Sequence, residues 1–120
     1  MYESLKKYSL PKKTIIKKKS EFNEIFRNGI VFKSRYFIAF VIYGDEKKVG
    51  FATEKKCNSV IRNRLKRRTR ELWRTLHGNF SFTGKVILYA KKTAAKEKFE
   101  CLKKDFISLL QQIDNKKPTS

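Results

Sequence analysis

The sequence predicts a small α+β sandwich in which helices pack on one four-stranded sheet, in the order α-β-β-β-α-β-α. Hydrophobic residues make up 40% of the 120-residue chain, which is enough to bury one core. Runs of β-forming residues alternate with segments whose apolar residues recur at helical spacing. With only two prolines and five glycines, the composition differs from that of a disordered chain. We therefore expect a single domain over residues 1–120.

The N-terminal part of the chain predicts a basic extended arm followed by a short helix. Residues 1–19 contain seven lysines and one acidic residue, and Pro11 interrupts them. Ser20 is the expected N-cap, and Gly29 is expected to end the helix. Between them, three apolar residues follow helical spacing: Phe22, Ile25 and Phe26.

Three strands are expected next. Residues 30–33 form a short one, and residues 36–43 are eight apolar or aromatic residues, typical of a strand covered on both faces. Residues 48–53 return after a turn and are expected to pair with 36–43 as a hairpin. Alternation along the second strand places four side chains on one face: Tyr36, Ile38, Phe40 and Ile42.

Residues 59–76 predict a long helix with one apolar stripe and a strongly basic opposite side. The stripe consists of residues at helical spacing: Ile61, Leu65, Thr69, Leu72 and Leu76. The broad opposite side holds six polar residues: Arg62, Asn63, Lys66, Arg67, Arg70 and Arg74. Arg64 and Arg68 lie on the other flank. A crossover then leads to a strand at 86–90, a last helix is expected over 94–113, and residues 114–120 should fray.

The charge balance indicates a polyanionic partner. Thirty Lys and Arg residues face eleven Asp and Glu, which gives a formal net charge of +19. Cys57 and Cys101 form no metal-ligand or redox motif, so we expect reduced thiols and a cytoplasmic location. Neither a secretory signal nor an apolar run long enough for a membrane span is present.

The run Arg62-Asn-Arg-Leu-Lys-Arg, closed by Arg70-Glu71, resembles the signature of the protein subunit of bacterial ribonuclease P. The flanking sequence matches the same family at several short motifs: Phe22 and Phe26 before Gly29, Arg35-Tyr-Phe37, Val49-Gly50, Lys55-Lys56, and Ala90 to Lys92. One departure is that the segment between Lys56 and Arg62 is one residue shorter than in the family and lacks its glycine.

This resemblance implies a ribonucleoprotein endonuclease that removes the 5′ leader of precursor transfer RNA. Catalysis and most of the Mg²⁺ would belong to the RNA subunit, and this chain, monomeric when free of RNA, would contribute no catalytic or metal-ligating residue. The residues implied to bind the RNA subunit are Arg62, Asn63, Arg64, Lys66, Arg67 and Arg70. Those implied to bind the leader are Phe22, Phe26, Phe40, Lys55 and Lys56. A left-handed crossover around the basic helix, contrary to the usual rule, is also implied.

Three alternatives share the charge and size of this chain. A ribosomal or other structural RNA-binding protein has the same composition, and only the Arg-Asn-Arg context argues against it. A DNA-binding protein would place the basic helix in a major groove, but no helix-turn-helix or dimer seam is evident. A protein-only nuclease would need clustered acids and histidines, whereas the chain has one histidine, His77, and scattered carboxylates.

Overall fold

Three α-helices and one four-stranded mixed sheet make up the part of the chain that the computed structural model describes, residues 14–118. The helices and strands are α1 (Lys19–Asn28), β1 (Ile30–Lys33), β2 (Phe37–Tyr43), β3 (Lys48–Thr53), α2 (Ser59–Leu76), β4 (Gly84–Ala90) and α3 (Phe99–Asn115). Short 3-10 helices occupy His77–Asn79 and Lys92–Lys96. The predicted α+β class and element order are confirmed.

The sheet has the strand order β1-β2-β4-β3, so the predicted β2–β3 hairpin is wrong. β4 lies between them, antiparallel to β2 and parallel to β3. Its apolar residues are mostly buried, which suits a central strand and leaves β3 near the sheet edge. A parallel pair needs a long crossover, and α2 supplies it. The handedness of that crossover stays a prediction.

One face of the sheet carries the main core, beneath α2 and α3. The Phe37 and Phe106 rings meet edge to face with centroids 5.2 Å apart. The predicted stripe of α2 points into this core, since Leu65, Thr69, Leu72 and Leu76 are buried. Thr69 satisfies its hydroxyl by donating to the Leu65 carbonyl at 2.7 Å, so a polar residue sits in the stripe without an unpaired group.

The opposite face is covered only in part, by α1 and the segment before it. Ile25 is fully buried against Ile16 and Ile87. The Ile16 N–H donates to the Val49 carbonyl at 2.8 Å, which places this part of the predicted arm against β3. The rest of that arm, residues 1–13, lies outside the described residues. β2 is therefore buried on its α2–α3 face and half-buried on its α1 face.

Tyr36 is not part of the α1 face, contrary to the prediction from strand alternation. It precedes β2 and is buried in the main core. Its N–H and that of Arg35 donate to the Asp105 carboxylate, and its hydroxyl donates to Glu97 at 2.9 Å. These tertiary bonds bend the chain before the strand, so the alternation begins at Phe37.

Four predicted boundaries also need correction, and the first is the start of β4, which lies at Gly84 rather than at residue 86. α1 begins before Ser20, because the Lys18 carbonyl accepts from the Phe22 N–H, and Lys18 takes the N-cap position without a side-chain bond. The last helix begins at Phe99 rather than at residue 94, since the preceding residues form a 3-10 helix. Asp114 and Asn115 still belong to the last helix, and the Asp114 carboxylate accepts from the N–H groups of Ser81 and Phe82; residues 119–120 of the predicted tail lie outside the described residues.

Candidate nucleic-acid interface

The cationic side of α2 is fully solvent-facing in the part predicted to bind RNA. We define the basic face as six exposed residues: Arg62, Asn63, Arg64, Lys66, Arg67 and Arg70. Arg70 is additionally placed by the Phe51 ring of β3, 5.5 Å from its guanidinium carbon. Because the buried side of the helix is fixed in the core, the helix backbone holds the five cations and Asn63 of the basic face toward solvent.

The shortened approach to this helix is built without a glycine. Asn58 has extended backbone angles (φ −72°, ψ 169°) and its side chain accepts from the Ile61 N–H at 2.9 Å. This N-cap satisfies one of the free donors at the helix start. No residue other than glycine has positive φ in the range 14–118. The residue missing relative to the family pattern therefore leaves an unstrained helix start.

The basic face ends before the last turns of α2. Trp73 is buried although it lies on the azimuth of Arg62 and Lys66, and it stacks on His77 with centroids 4.9 Å apart. Arg74, predicted to share the cationic side, is half-buried and ion-paired with Glu71. Cations are thus presented from residues 62 to 70, and not along the whole helix.

The surroundings of His77 indicate a role in packing. Burial, and to a smaller extent the nearby Lys47 ammonium, lowers the pKa of His77 below its usual value. The Lys47 ammonium donates to the His77 carbonyl at 3.1 Å and lies over the Trp73 ring. A neutral imidazole stacked on tryptophan at the helix end serves packing.

Arg68 differs from its neighbours in the basic run. Its Nη1 donates to the Glu97 carbonyl at 2.6 Å and to the Ala94 carbonyl at 3.4 Å. It therefore holds the segment before α3 against α2. Helical periodicity places Arg68 on a different flank from Arg67, but no local signal identifies its acceptors, which lie 26 and 29 residues further along the chain.

Three phenylalanines form an aromatic surface on the α1 side of the sheet: Phe22, Phe26 and Phe40. The Phe26 and Phe40 rings meet edge to face at 4.8 Å, and Phe22 lies 6.2 Å from Phe26. Phe26 is 39% exposed, and the other two are half-buried. Gly50 lets the Phe22 ring approach β3, since a Cβ at position 50 would lie 2.8 Å from Phe22 Cζ. The structure thus brings together the three rings that the sequence singled out.

Beyond α1, the same face of the sheet has a row of side chains that no helix buries. Cross-strand pairing aligns four residues, one from each strand, and all are half-buried or exposed: Lys33, Ile38, Tyr89 and Ala52. We call these residues the open row. Tyr89 was not predicted to lie on this face, because residues 86–90 indicate only an apolar strand. Alternation from Ile87 was the signal that would have placed it on this face.

Lys55 and Lys56 lie in an exposed turn just beyond the end of β3. The Glu54 N–H donates to the Ala90 carbonyl and the Glu54 carboxylate accepts from the Lys92 N–H, both at 3.2 Å. These bonds tie the turn to the end of β4. The two lysines therefore sit next to the Ala52 end of the open row, on the connection that leads from β3 to α2, and not in α1.

The described acidic side chains are spread over the fold. Within residues 14–118, no three His, Cys, Asp or Glu residues cluster as metal ligands. Four acidic side chains, Glu54, Glu97, Asp105 and Asp114, accept hydrogen bonds that join segments of the fold. No helix in the same range is long and apolar enough to cross a membrane.

Comparison with known proteins supplies the remaining evidence. The profile of the Ribonuclease P family matches residues 10–114. The ribonuclease P protein component of Listeria innocua is 33% identical over 106 residues, covering 85% of this chain and 89% of that protein. The Bacillus cereus ribonuclease P protein component is 30% identical over 112 residues, covering 90% and 97%.

Two solved structures share the fold. The Staphylococcus aureus RNase P protein superposes with a TM-score of 0.73 at 24% identity, covering 83% of this chain and 94% of that one. The RNase P protein from Thermotoga maritima gives a TM-score of 0.72 at 21% identity, covering 81% and 94%. The sheet and the helices described above are thus an arrangement found in experimental structures.

Proposed function

This chain belongs to the ribonuclease P protein family, and we propose that it acts as the protein subunit of a ribonucleoprotein that removes the 5′ leader from precursor transfer RNA. The proposal gives the two surfaces described above different partners. The basic face binds the RNA subunit, and the aromatic surface with Lys55 and Lys56 binds the leader. The free protein is a monomer that meets both partners.

The observation that carries the proposal is the separation of these surfaces within one rigid fold. The basic face lies on α2, packed over one side of the sheet, whereas the aromatic surface lies on the other side, where Phe22 and Phe26 of α1 meet Phe40 of β2. A row of arginines suits the phosphates of duplex RNA, because each planar guanidinium can donate two parallel hydrogen bonds to one phosphate. Exposed rings suit an unpaired strand because every base can stack on them.

Catalysis is assigned to the RNA subunit. Within residues 14–118, four carboxylates join segments of the fold and no three metal-ligating side chains cluster, whereas Mg²⁺ is commonly held through phosphates, which the RNA supplies. We therefore assign the Mg²⁺ to the RNA. The protein contributes by neutralising phosphates and holding the leader, so it should raise cleavage most at low Mg²⁺ and near-physiological salt.

A pair of matched phenylalanine variants tests the leader assignment. Phe26 and Phe99 are both 39% exposed, but Phe99 begins α3, away from the aromatic surface. In enzyme reconstituted with a bacterial ribonuclease P RNA, Phe26→Ala should weaken binding of leader-bearing precursor by roughly 1–3 kcal/mol, the value of one stacked base. Phe40→Ala should act in the same direction, and Phe99→Ala should have no such effect.

Mature transfer RNA is the substrate control, because it has no leader. Its affinity should be the same for the wild type and all three variants, and so should assembly with the RNA subunit. Equal losses for precursor and mature transfer RNA would assign the aromatic surface to general folding or to the RNA subunit. Cleavage by RNA-free protein would contradict the assignment of catalysis.

A further inference from the structure

We propose that Tyr89 is a further leader-binding residue, and that its hydroxyl makes the affinity depend on the identity of one leader base. The inference rests on the proposed function, because it needs the leader to lie on the α1 side of the sheet. It adds a specificity element to a surface that otherwise holds only phenylalanine rings.

The position of Tyr89 provides the first argument. It lies two residues beyond Ile87 on the same face of β4, and α1 buries Ile87 but leaves Tyr89 partly accessible. Its neighbours across the sheet are Ile38 on one side and Ala52 on the other. Because the Ala52 side chain is small, it does not cover the adjacent side of the Tyr89 ring. Tyr89 is therefore the aromatic residue of the open row.

The hydroxyl of Tyr89 provides the second argument. Tyr36 donates to the Glu97 carboxylate and Tyr43 to the Ile113 carbonyl, at 2.9 and 2.6 Å. Tyr89 is the third tyrosine in the range 14–118, and its hydroxyl makes no hydrogen bond to protein there. Burial, with a contribution from the Glu54 carboxylate, raises the Tyr89 pKa further above neutrality. The phenol therefore keeps its proton and can donate it to a ligand.

Strand geometry separates the roles of Tyr89 and Phe40. Phe40 pairs with Ile87, so Tyr89 is one strand away and two residues along. With strands about 4.8 Å apart and a rise of about 3.3 Å per residue, their Cα atoms are about 8 Å apart. Bases in a stacked strand repeat at about 3.4 Å, so the two rings contact different nucleotides. Lys55 and Lys56, in the turn after β3, supply positive charge for the phosphates that lie between the nucleotide at Tyr89 and the basic face.

The chemistry of the two ring types explains why only Tyr89 would discriminate. Stacking on phenylalanine accepts every base, because every base has an aromatic face. The Tyr89 hydroxyl can donate a hydrogen bond to an acceptor atom on the edge of a base. A base that presents a donor atom at the same place leaves the hydroxyl without a partner. The predicted result is a preference at one leader position for a base with a suitably placed acceptor.

The experiment uses reconstituted enzyme and a set of precursors in which each leader nucleotide is varied in turn among the four bases. Tyr89→Phe keeps the ring and removes the hydroxyl, while Tyr89→Ile removes the ring and keeps a good strand residue. Tyr43→Phe is the matched control, since it removes a hydroxyl on the helix-covered face of the sheet. Affinities are measured for each precursor and for mature transfer RNA.

Wild-type enzyme and Tyr43→Phe should prefer one base at one position by about 2- to 10-fold, the net value of one hydrogen bond. Tyr89→Phe should abolish that preference, and Tyr89→Ile should weaken all leader-bearing precursors by about 5-fold or more. Unchanged base preference in Tyr89→Phe, or equal losses for mature transfer RNA, would overturn the role of Tyr89. If Phe26→Ala still acts on the leader alone, the proposed function survives that outcome; if it does not, the leader assignment fails as well.

Discussion

Replacing two adjacent arginines of α2 separates the role of the cations proposed to bind RNA from that of the one that holds the fold. Arg67 is exposed on the basic face, whereas Arg68 donates to the carbonyls of Glu97 and Ala94. Arg67→Ala and Arg68→Ala remove the same charge from neighbouring positions of one helix. Any difference between them therefore reports the two environments and not the net charge.

The geometry sets the size of the expected difference. A hydrogen bond that involves a charged group contributes about 1.5–3 kcal/mol. The contact to Glu97 is short and the one to Ala94 is long, at 2.6 and 3.4 Å, and the side chain is half-buried. We expect Arg68→Ala to cost about 2 kcal/mol of unfolding free energy, or roughly 8 °C in Tm for a domain of this size. Arg67→Ala should stay within about 0.5 kcal/mol.

Urea denaturation of the free proteins and titration with the RNA subunit provide the two measurements. Arg67→Ala should weaken RNA binding and reduce the slope of log K against log salt by about one. Arg68→Ala, measured where it is folded, should keep most of the RNA affinity and its salt slope. Equal denaturation midpoints for the two variants would refute the structural role of Arg68.

Two further predictions concern salt and pH. If the five cations of the basic face all contact phosphates of largely duplex RNA, the log–log salt slope should be about −4.5, with the duplex DNA coefficient as a guide; a nearly flat dependence would exclude this face as the contact surface. Burial raises the pKa of Asp114, but Lys117 and the N–H groups of Ser81 and Phe82 outweigh it and hold the pKa below 3.8. A carboxyl with a lowered pKa stabilises the fold above its unfolded value and loses that contribution as pH falls through the folded value. Asp114→Asn should therefore be less stable than wild type at pH 6, with a deficit that shrinks towards pH 3 in urea titrations; a deficit independent of pH would contradict the assignment.

Local patterns predicted the elements of this fold well, and tertiary contacts account for what they missed. The bounds of α2 are as predicted, because its apolar stripe and its polar flanks are both contained in one stretch of sequence. The partner of β3 was predicted wrongly, since a turn after β2 suggests a hairpin locally. Burial decides otherwise: β4 is apolar along nearly its whole length and takes the position between them.

The same distinction applies to the candidate site. Helical periodicity predicted the exposed cations of α2, and the family resemblance predicted the residues of the aromatic surface. The structural role of Arg68 depends on carbonyls in a segment whose alanines favour an α-helix, whereas the structure has a 3-10 helix there. Tyr89 was missed for a different reason, because an apolar run gives no indication of which of its residues a distant helix leaves uncovered.

The position of β4 between β2 and β3 has a consequence for how the chain folds. Every residue pair that β4 forms with β2 or β3 joins residues far apart in sequence. The pairs Lys48–Lys85 and Phe37–Ala90 are examples. During synthesis, only the β1–β2 pair can form from neighbouring segments, and an isolated pair of strands is marginally stable in water. Non-local pairing is slow because loop closure comes before the contacts that reward it. The sheet surface on which α2 packs is complete only after β4 has paired with β2 and β3. An RNA that binds the ordered helix therefore also shifts the equilibrium towards the complete four-stranded sheet by mass action.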